Sequence, residues 1–214
     1  MAGYNYFAIE GVIGSGKSLL LNHIAKKTGA RTIETPIQDN PFLDAYYRDP
    51  ARYAFQTQIF FLLSRYKLLS SLYELDLFHE IAVSDFIIER DNINAKLSLN
   101  EAEFRLYKQV EMHLSKDLPI PQLVILLQTP TEMLVRNILN NGRTFERRYV
   151  NEALISHLCQ EYTTFFYKWK KTPLLIVDTN SVNLEDDRQI DELSDYILDN
   201  RINGTQFYSS SQLL

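Results

Sequence analysis

The sequence predicts an α/β protein built on an open parallel sheet of about five strands, covered by helices on both faces. Three observations carry that prediction. Short apolar runs alternate with longer amphipathic or apolar segments from one end of the chain to the other. Most of these short runs are continuously apolar, as a strand buried on both faces requires, and Leu123 to Leu127 is wholly so. The first run also passes straight into a glycine-rich turn and a helical segment, the opening of a βαβ unit.

Residues 4–10 are apolar with β-branched and aromatic content and read as the first strand. Residues 18–27 are helical, with Leu19, Leu20, Ile24 and Ala25 inward and Gly29 as the stop. Residues 31–34 form a second short strand. Pro41 opens a helical turn to Tyr47, and Pro50 starts a long, largely buried helix reaching about Phe78. Residues 81–84 are a third strand. Residues 99–118 are helical until Pro119 and Pro121 end them, and Leu123-Val124-Ile125-Leu126-Leu127 is the clearest buried strand. Residues 131–140 are helical up to Asn141-Gly142. Residues 149–171 predict one long helix, 174–177 a last strand and 185–200 a last helix. Residues 1–202 therefore read as one domain and the Ser-rich 203–214 as a flexible tail.

Composition narrows the function classes. The chain has 214 residues with a formal net charge of -5, and a nucleic-acid binder would show a basic surplus instead. The one cysteine, Cys159, forms no intrachain disulfide, which fits a reducing compartment. No run approaches ~18 apolar residues, and residues 1–6 lack the basic and apolar regions of a signal peptide. The expected address is the cytoplasm. His23, His79, His113 and His157 share no ligand-like spacing with one another or with Cys159.

Gly11-Val12-Ile13-Gly14-Ser15-Gly16-Lys17-Ser18 fits G-x-x-x-x-G-K-S between a strand and a helix. Glycines let several backbone N–H groups converge on one anion, and the helix start adds its positive end. In this P-loop, Lys17 would reach the β- and γ-phosphates of a bound triphosphate and the Ser18 hydroxyl would bind its Mg²⁺. The fold class is thus of the P-loop NTPase type. No Asn-Lys-x-Asp motif follows a strand, which argues against a GTPase.

Five features then arrive in order: Glu34-Thr-Pro-Ile-Gln-Asp-Asn-Pro, the run from Tyr47 to Gln58, Arg65, Asp85, and Asn141-Gly-Arg143-Thr-Phe-Glu146-Arg. With the P-loop they resemble the deoxynucleoside kinases, especially the bacterial-type deoxyguanosine and deoxyadenosine kinases, relatives of deoxycytidine kinase. The resemblance runs to about Asp186. It implies a kinase that transfers the γ-phosphate of ATP to the 5′-OH of a deoxynucleoside in nucleotide salvage, deoxyadenosine and deoxyguanosine before deoxycytidine.

The same resemblance implies the roles of individual residues. Glu34 is the base for the 5′-OH, a job suited to a carboxylate at the carboxyl edge of a parallel sheet. Gln58 reads the base and Arg65, seven residues on and on the same helix face, assists it with Asp91 as acidic partner. On general grounds Gln58 and Arg65 are also compatible with a core amide and an internal salt bridge. Tyr47 contacts the sugar 3′-OH. Asp85 holds Mg²⁺ with Ser18, directly or through water. Residues 142–148 form a lid whose Arg143 and Arg147, with Arg148, close over the phosphates, while Glu146 approaches the 5′-OH. Arg136 stands on the helix before the lid. Residues 178–186 hold the donor adenine. A homodimer is implied; a membrane or nucleic-acid partner is not.

Two positions depart from the family pattern. Phe86 stands where many members have the arginine of Glu-Arg-Ser or Asp-Arg-Ser, which in the family lies near the 5′-oxygen and the phosphates, and Asn141 stands where an arginine is usual. Two other readings stay open on the sequence: a nucleoside monophosphate kinase, or a nucleotide-binding subunit without catalysis.

Overall fold

The computed structural model describes residues 5–73, 81–149 and 151–210. In chain order, β1 is Tyr6–Gly11, α1 Lys17–Thr28, β2 Arg31–Ile33, α2 Leu43–Arg48 and α3 Pro50–Ser70. Then come β3 Ala82–Ser84, α4 Asp91–Ser98, α5 Glu101–Leu114, β4 Leu123–Gln128 and α6 Thr131–Asn141. The remaining elements are α7 Thr144–Tyr149, α8 Glu152–Tyr167, β5 Leu174–Asp178, α9 Asp187–Asp199 and β6 Thr205–Tyr208. The stretch read as one domain divides into two compact units. The described residues of 1–32, 77–85 and 121–214 make the first, and those of 33–76 and 86–120 the second.

The first unit carries a sheet in the order β2-β3-β1-β4-β5-β6, flanked by helices. β1 pairs in parallel with β3 and β4, β4 with β5, and β5 with β6. Phe7, Ile9, Val83, Ile125, Leu127, Leu175 and Val177 are buried from the strands, and Leu20, Leu21, Ile24, Leu193 and Ile197 from α1 and α9. Each such side chain contributes ~1.5–3 kcal/mol when fully buried, so this apolar layer holds the unit together. It also fixes where β1 ends, and therefore where the turn after it opens.

The second unit is helical, with α3 packed on α2, α4 and α5. Pro50 occupies the first turn of α3, where its missing N–H costs nothing. Asn100 and Glu103 form a reciprocal capping box at the start of α5. Leu43, Ala54, Leu62, Leu69, Phe86, Ile93 and Tyr107 are buried among its residues.

Several expectations change. The sheet has six strands rather than about five, because Thr205–Tyr208 pairs with β5 inside the expected flexible tail. Only Tyr208 of that edge strand is buried, stacked 4.9 Å from Tyr196, so its sequence has no apolar run to announce it. Residues 211–214 lie outside the described residues. The long helix expected over 149–171 is the shorter α8, which starts where the Asn151 side chain accepts from Leu154 N, and the expected lid segment before it is itself helical as α7. α3 ends at Ser70 and passes into a 3₁₀ turn over Ser71–Tyr73; the rest of its expected extension to Phe78 lies outside the described residues, as does His79. α4 was not anticipated from the sequence.

Candidate active site

The phosphate loop lies in the first unit, between the end of β1 and the start of α1. Gly16 adopts a left-handed conformation at φ +89°, and a Cβ there would stand 2.8 Å from Leu184 Cδ1. Gly14, at φ +84°, would bring a Cβ to 3.0 Å from Ile138 Cγ1 and from Leu134 O. Both positions require glycine for conformation and for room. Between them, Ser15 N donates to Val12 O at 3.1 Å and closes the turn. Asn137 on α6 donates to Gly14 O at 2.9 Å and pins the loop from outside.

Lys17 folds back over this loop, donating to Gly11 O at 2.7 Å and Val12 O at 3.2 Å. Its ammonium is thus held at the rim. α1 has no acidic residue in its first turn, so no side chain there opposes the positive helix end. Glu10, fully buried, accepts from Gly11 N at 3.2 Å just ahead of the loop. Ser15 is also buried, and its hydroxyl has no hydrogen-bond partner among the described residues. Ser18 is exposed on the first turn of α1, and Asp85 directly follows β3, the strand beside β1. A Mg²⁺ ion keeps most of its shell as water and phosphate oxygen, so one hydroxyl and one carboxylate are a fitting donor set. No group of three or more acidic, His or Cys side chains able to hold a metal occurs among the described residues.

The lid segment forms the short helix α7. Arg143 donates to Glu146 twice, from its backbone N at 2.7 Å and from Nη1 at 2.8 Å. Glu146 is buried and each of its oxygens accepts one of these bonds, so its carboxylate caps α7. Arg147 and Arg148 are exposed, the latter 5.7 Å from the Tyr149 ring. Arg136 is exposed in a groove of about 300 Å³ with Glu132, Val135, Leu139, Asn140 and Glu152. After β5, Thr179 bonds to Gln128 O and to Thr129 Oγ1, and Val182 and Leu184 are buried.

The second unit holds the remaining candidates. Glu34 is exposed immediately after β2, and Tyr47 is half-buried on α2, edge-on to Tyr46 at 5.5 Å. Gln58 and Arg65 are both buried on α3. Arg65 pairs with Asp91 through Nη1 and Oδ1, with 4% and 1% of the two side chains exposed. Its Nε also donates to Thr35 Oγ1 at 3.4 Å. The guanidinium carbon stands 5.0 Å from the Phe61 ring and 5.4 Å from the Phe86 ring. Asp91 Oδ2 and the Tyr107 hydroxyl are buried without a hydrogen-bond partner among the described residues. Burial first, and the Asp91 charge second, push the Tyr107 phenol far above its ordinary range, so it stays neutral. Next to Asp91, Asn92 is tied to α5 by Lys108 at 2.9 Å and Glu111 at 3.3 Å.

A phosphate cradle and a buried, ion-paired polar cluster in one chain suit the transfer of phosphate to a polar organic acceptor. The family model for deoxynucleoside kinases matches residues 7–202. The chain belongs to the deoxynucleoside kinase family. Deoxyguanosine kinase of Bacillus subtilis (strain 168) is 31% identical over 158 residues, 73% of this chain and 76% of that protein. Deoxyadenosine/deoxycytidine kinase of the same organism is 24% identical over 210 residues, 90% of this chain and 93% of its own length. The structure of deoxyadenosine kinase from M. mycoides with bound dATP is 25% identical, with a TM-score of 0.78, covering 90% of this chain and 98% of that one. This deoxynucleoside kinase is therefore an ATP-dependent phosphotransferase.

Sequence reasoning about this deoxynucleoside kinase missed Glu10, Asn137 and Leu184, which support the phosphate loop, and the ring contacts of Phe61 and Phe86. Only Glu10 left a signal, a charge at the end of a buried strand. Asn137, Leu184 and Phe86 act across elements far apart in the chain, and Phe61 meets Arg65 from one turn earlier on α3, where an apolar residue looks like any other core position.

Proposed function

We propose that this enzyme phosphorylates the 5′-hydroxyl of a purine deoxynucleoside, deoxyadenosine or deoxyguanosine, with deoxycytidine as a weaker acceptor. The observation that carries this reading is the buried Arg65–Asp91 pair, in which Asp91 Oδ2 still lacks a hydrogen-bond partner among the described residues. A desolvated carboxylate oxygen seeks a donor, and the exocyclic amino group of adenine, guanine or cytosine, which thymine lacks, supplies one. The buried Gln58 amide can donate and accept beside it, in the plane of a base. The names of the Bacillus subtilis relatives support the same choice of bases.

In this reading Glu34 accepts the 5′-OH proton as the hydroxyl oxygen bonds to the γ-phosphorus, and the bond from that phosphorus to the β–γ bridging oxygen breaks. The N–H groups from Gly11, Val12, Ile13, Gly14, Ser15, Gly16, Lys17 and Ser18, with the Lys17 ammonium, receive the phosphate charge. Arg143 leaves Glu146 and closes with Arg147 over the transferring group, freeing Glu146 for the 5′-OH region. Tyr47 binds the 3′-OH. Ser18 and Asp85 hold Mg²⁺, which neutralises phosphate charge when bound. The enzyme acts in the cytoplasm as a homodimer; Leu63 on α3 and Leu106 and Met112 on α5 are exposed apolar side chains of the second unit.

A kinase assay with ATP and each of the four natural deoxynucleosides ranks kcat/KM, and thymidine as the best acceptor overturns the base assignment. Glu34→Gln should lower kcat by about 10²–10⁴-fold with KM values within a few-fold. Near-normal turnover removes Glu34 as the base.

A further inference from the structure

Arg65 is held by residues from four places in the second unit. Asp91 and Thr35 take its hydrogen bonds, and the Phe61 and Phe86 rings pack against its guanidinium. Phe86 is fully buried, so its ring cannot swing away into solvent. A ring face attracts a cation and most strongly where water is excluded. The guanidinium is a rigid plane, so contact with a ring restricts its tilt, which a single ion pair leaves free.

The identity of residue 86 gains a meaning from this geometry. An arginine held in the same place would put a second positive charge beside the Arg65 guanidinium. Phenylalanine adds no charge and offers a π-face. We infer that Phe86 is a positioning residue for acceptor recognition: it orients the Arg65 guanidinium, and through the ion pair the Asp91 carboxylate, toward the base. The inference rests on the proposed base-reading role of that pair. It assigns Phe86 to the acceptor rather than to the phosphates.

The test uses the full-length enzyme and the variants Phe86→Leu, Phe61→Leu, Asp91→Asn and Phe86→Leu/Asp91→Asn. KM and kcat are measured for deoxyadenosine, deoxyguanosine and deoxycytidine, and KM for ATP. Phe86→Leu should raise the acceptor KM about five- to tenfold, as expected for a desolvated cation–π contact, and compress the differences among the three bases. The ATP KM should stay within twofold, about the scatter of unrelated sites. Phe61→Leu, at a half-buried position, should shift the same quantities in the same direction, and it carries the test if Phe86→Leu does not fold. The double variant should bind acceptors no worse than Asp91→Asn alone.

If Asp91→Asn leaves the base ranking unchanged, the base-reading role falls and the inference with it. If Asp91→Asn changes the ranking but Phe86→Leu adds its full penalty on top, or raises acceptor and ATP KM equally, the inference alone is overturned.

Discussion

Replacing Asp91 by alanine while Arg65 stays would leave a guanidinium in the second unit with only 4% of its side chain exposed and no carboxylate beside it. Breaking a buried pair from one side costs about 3–5 kcal/mol, because the remaining charge keeps its desolvation penalty. The Thr35 hydroxyl, at 3.4 Å, is too long and too weak a partner to replace a carboxylate. For a chain of this size each kcal/mol moves Tm by about 2–4 °C, so Asp91→Ala should lower Tm by roughly 6–20 °C. Removing both charges tells more. Arg65→Met/Asp91→Ala leaves no lone ion and should recover most of that loss, since apolar replacements of buried pairs are often neutral. The assay is thermal unfolding of the wild type, both single variants and the double, followed by circular dichroism. Two results refute the reasoning: an Asp91→Ala loss below about 2 °C, which would mean that Arg65 is solvated, or a double variant as unstable as Asp91→Ala. A double variant that melts like the wild type yet no longer prefers purines would separate recognition from stability.

Gly16→Ala forces a left-handed conformation costing about 1–2 kcal/mol and a Cβ 2.8 Å from Leu184 Cδ1, so Tm should fall by roughly 2–8 °C and ATP KM should rise by roughly tenfold. Asn137→Ala removes the 2.9 Å hydrogen bond to Gly14 O, worth about 0.5–1.5 kcal/mol, and should raise ATP KM a few-fold without altering the acceptor KM. Asp191 is held below the usual carboxylate range by hydrogen bonds from Lys27 and then His23, and Lys27 is raised by Asp191 and Asp195. A depressed carboxylate stabilises the fold above its unfolded pKa and loses that effect as pH falls through the folded value. The Tm difference between wild type and Asp191→Asn should therefore be small but present at pH 7 and vanish toward pH 3, and a difference that is constant with pH would assign Asp191 another role.

Legibility in the sequence followed the distance over which each feature is encoded. The phosphate loop occupies eight consecutive residues between two local elements, so its chemistry was readable without a fold. β4 was equally plain, because Leu123 to Leu127 face apolar layers on both sides. β6 was not, since an edge strand with one buried residue carries no apolar run. The break between α7 and α8 turned on one asparagine side chain, a signal easily lost in a segment of strong helix formers.

The acceptor cluster makes the physical reason clearest. Arg65 and Asp91 are 26 residues apart, and no local pattern predicts that a buried arginine will meet a particular aspartate. Resemblance to the family named the pair, but it also made Phe86 look like a defect, an arginine lost from the phosphate side. Packing supplies the opposite reading, because the ring is buried against the same guanidinium that Asp91 neutralises. A motif compares one position at a time, whereas the energy of a buried charge depends on everything around it. A substitution that breaks a motif can therefore be part of a local solution, and in this enzyme the guanidinium of Arg65 is the group that solution surrounds.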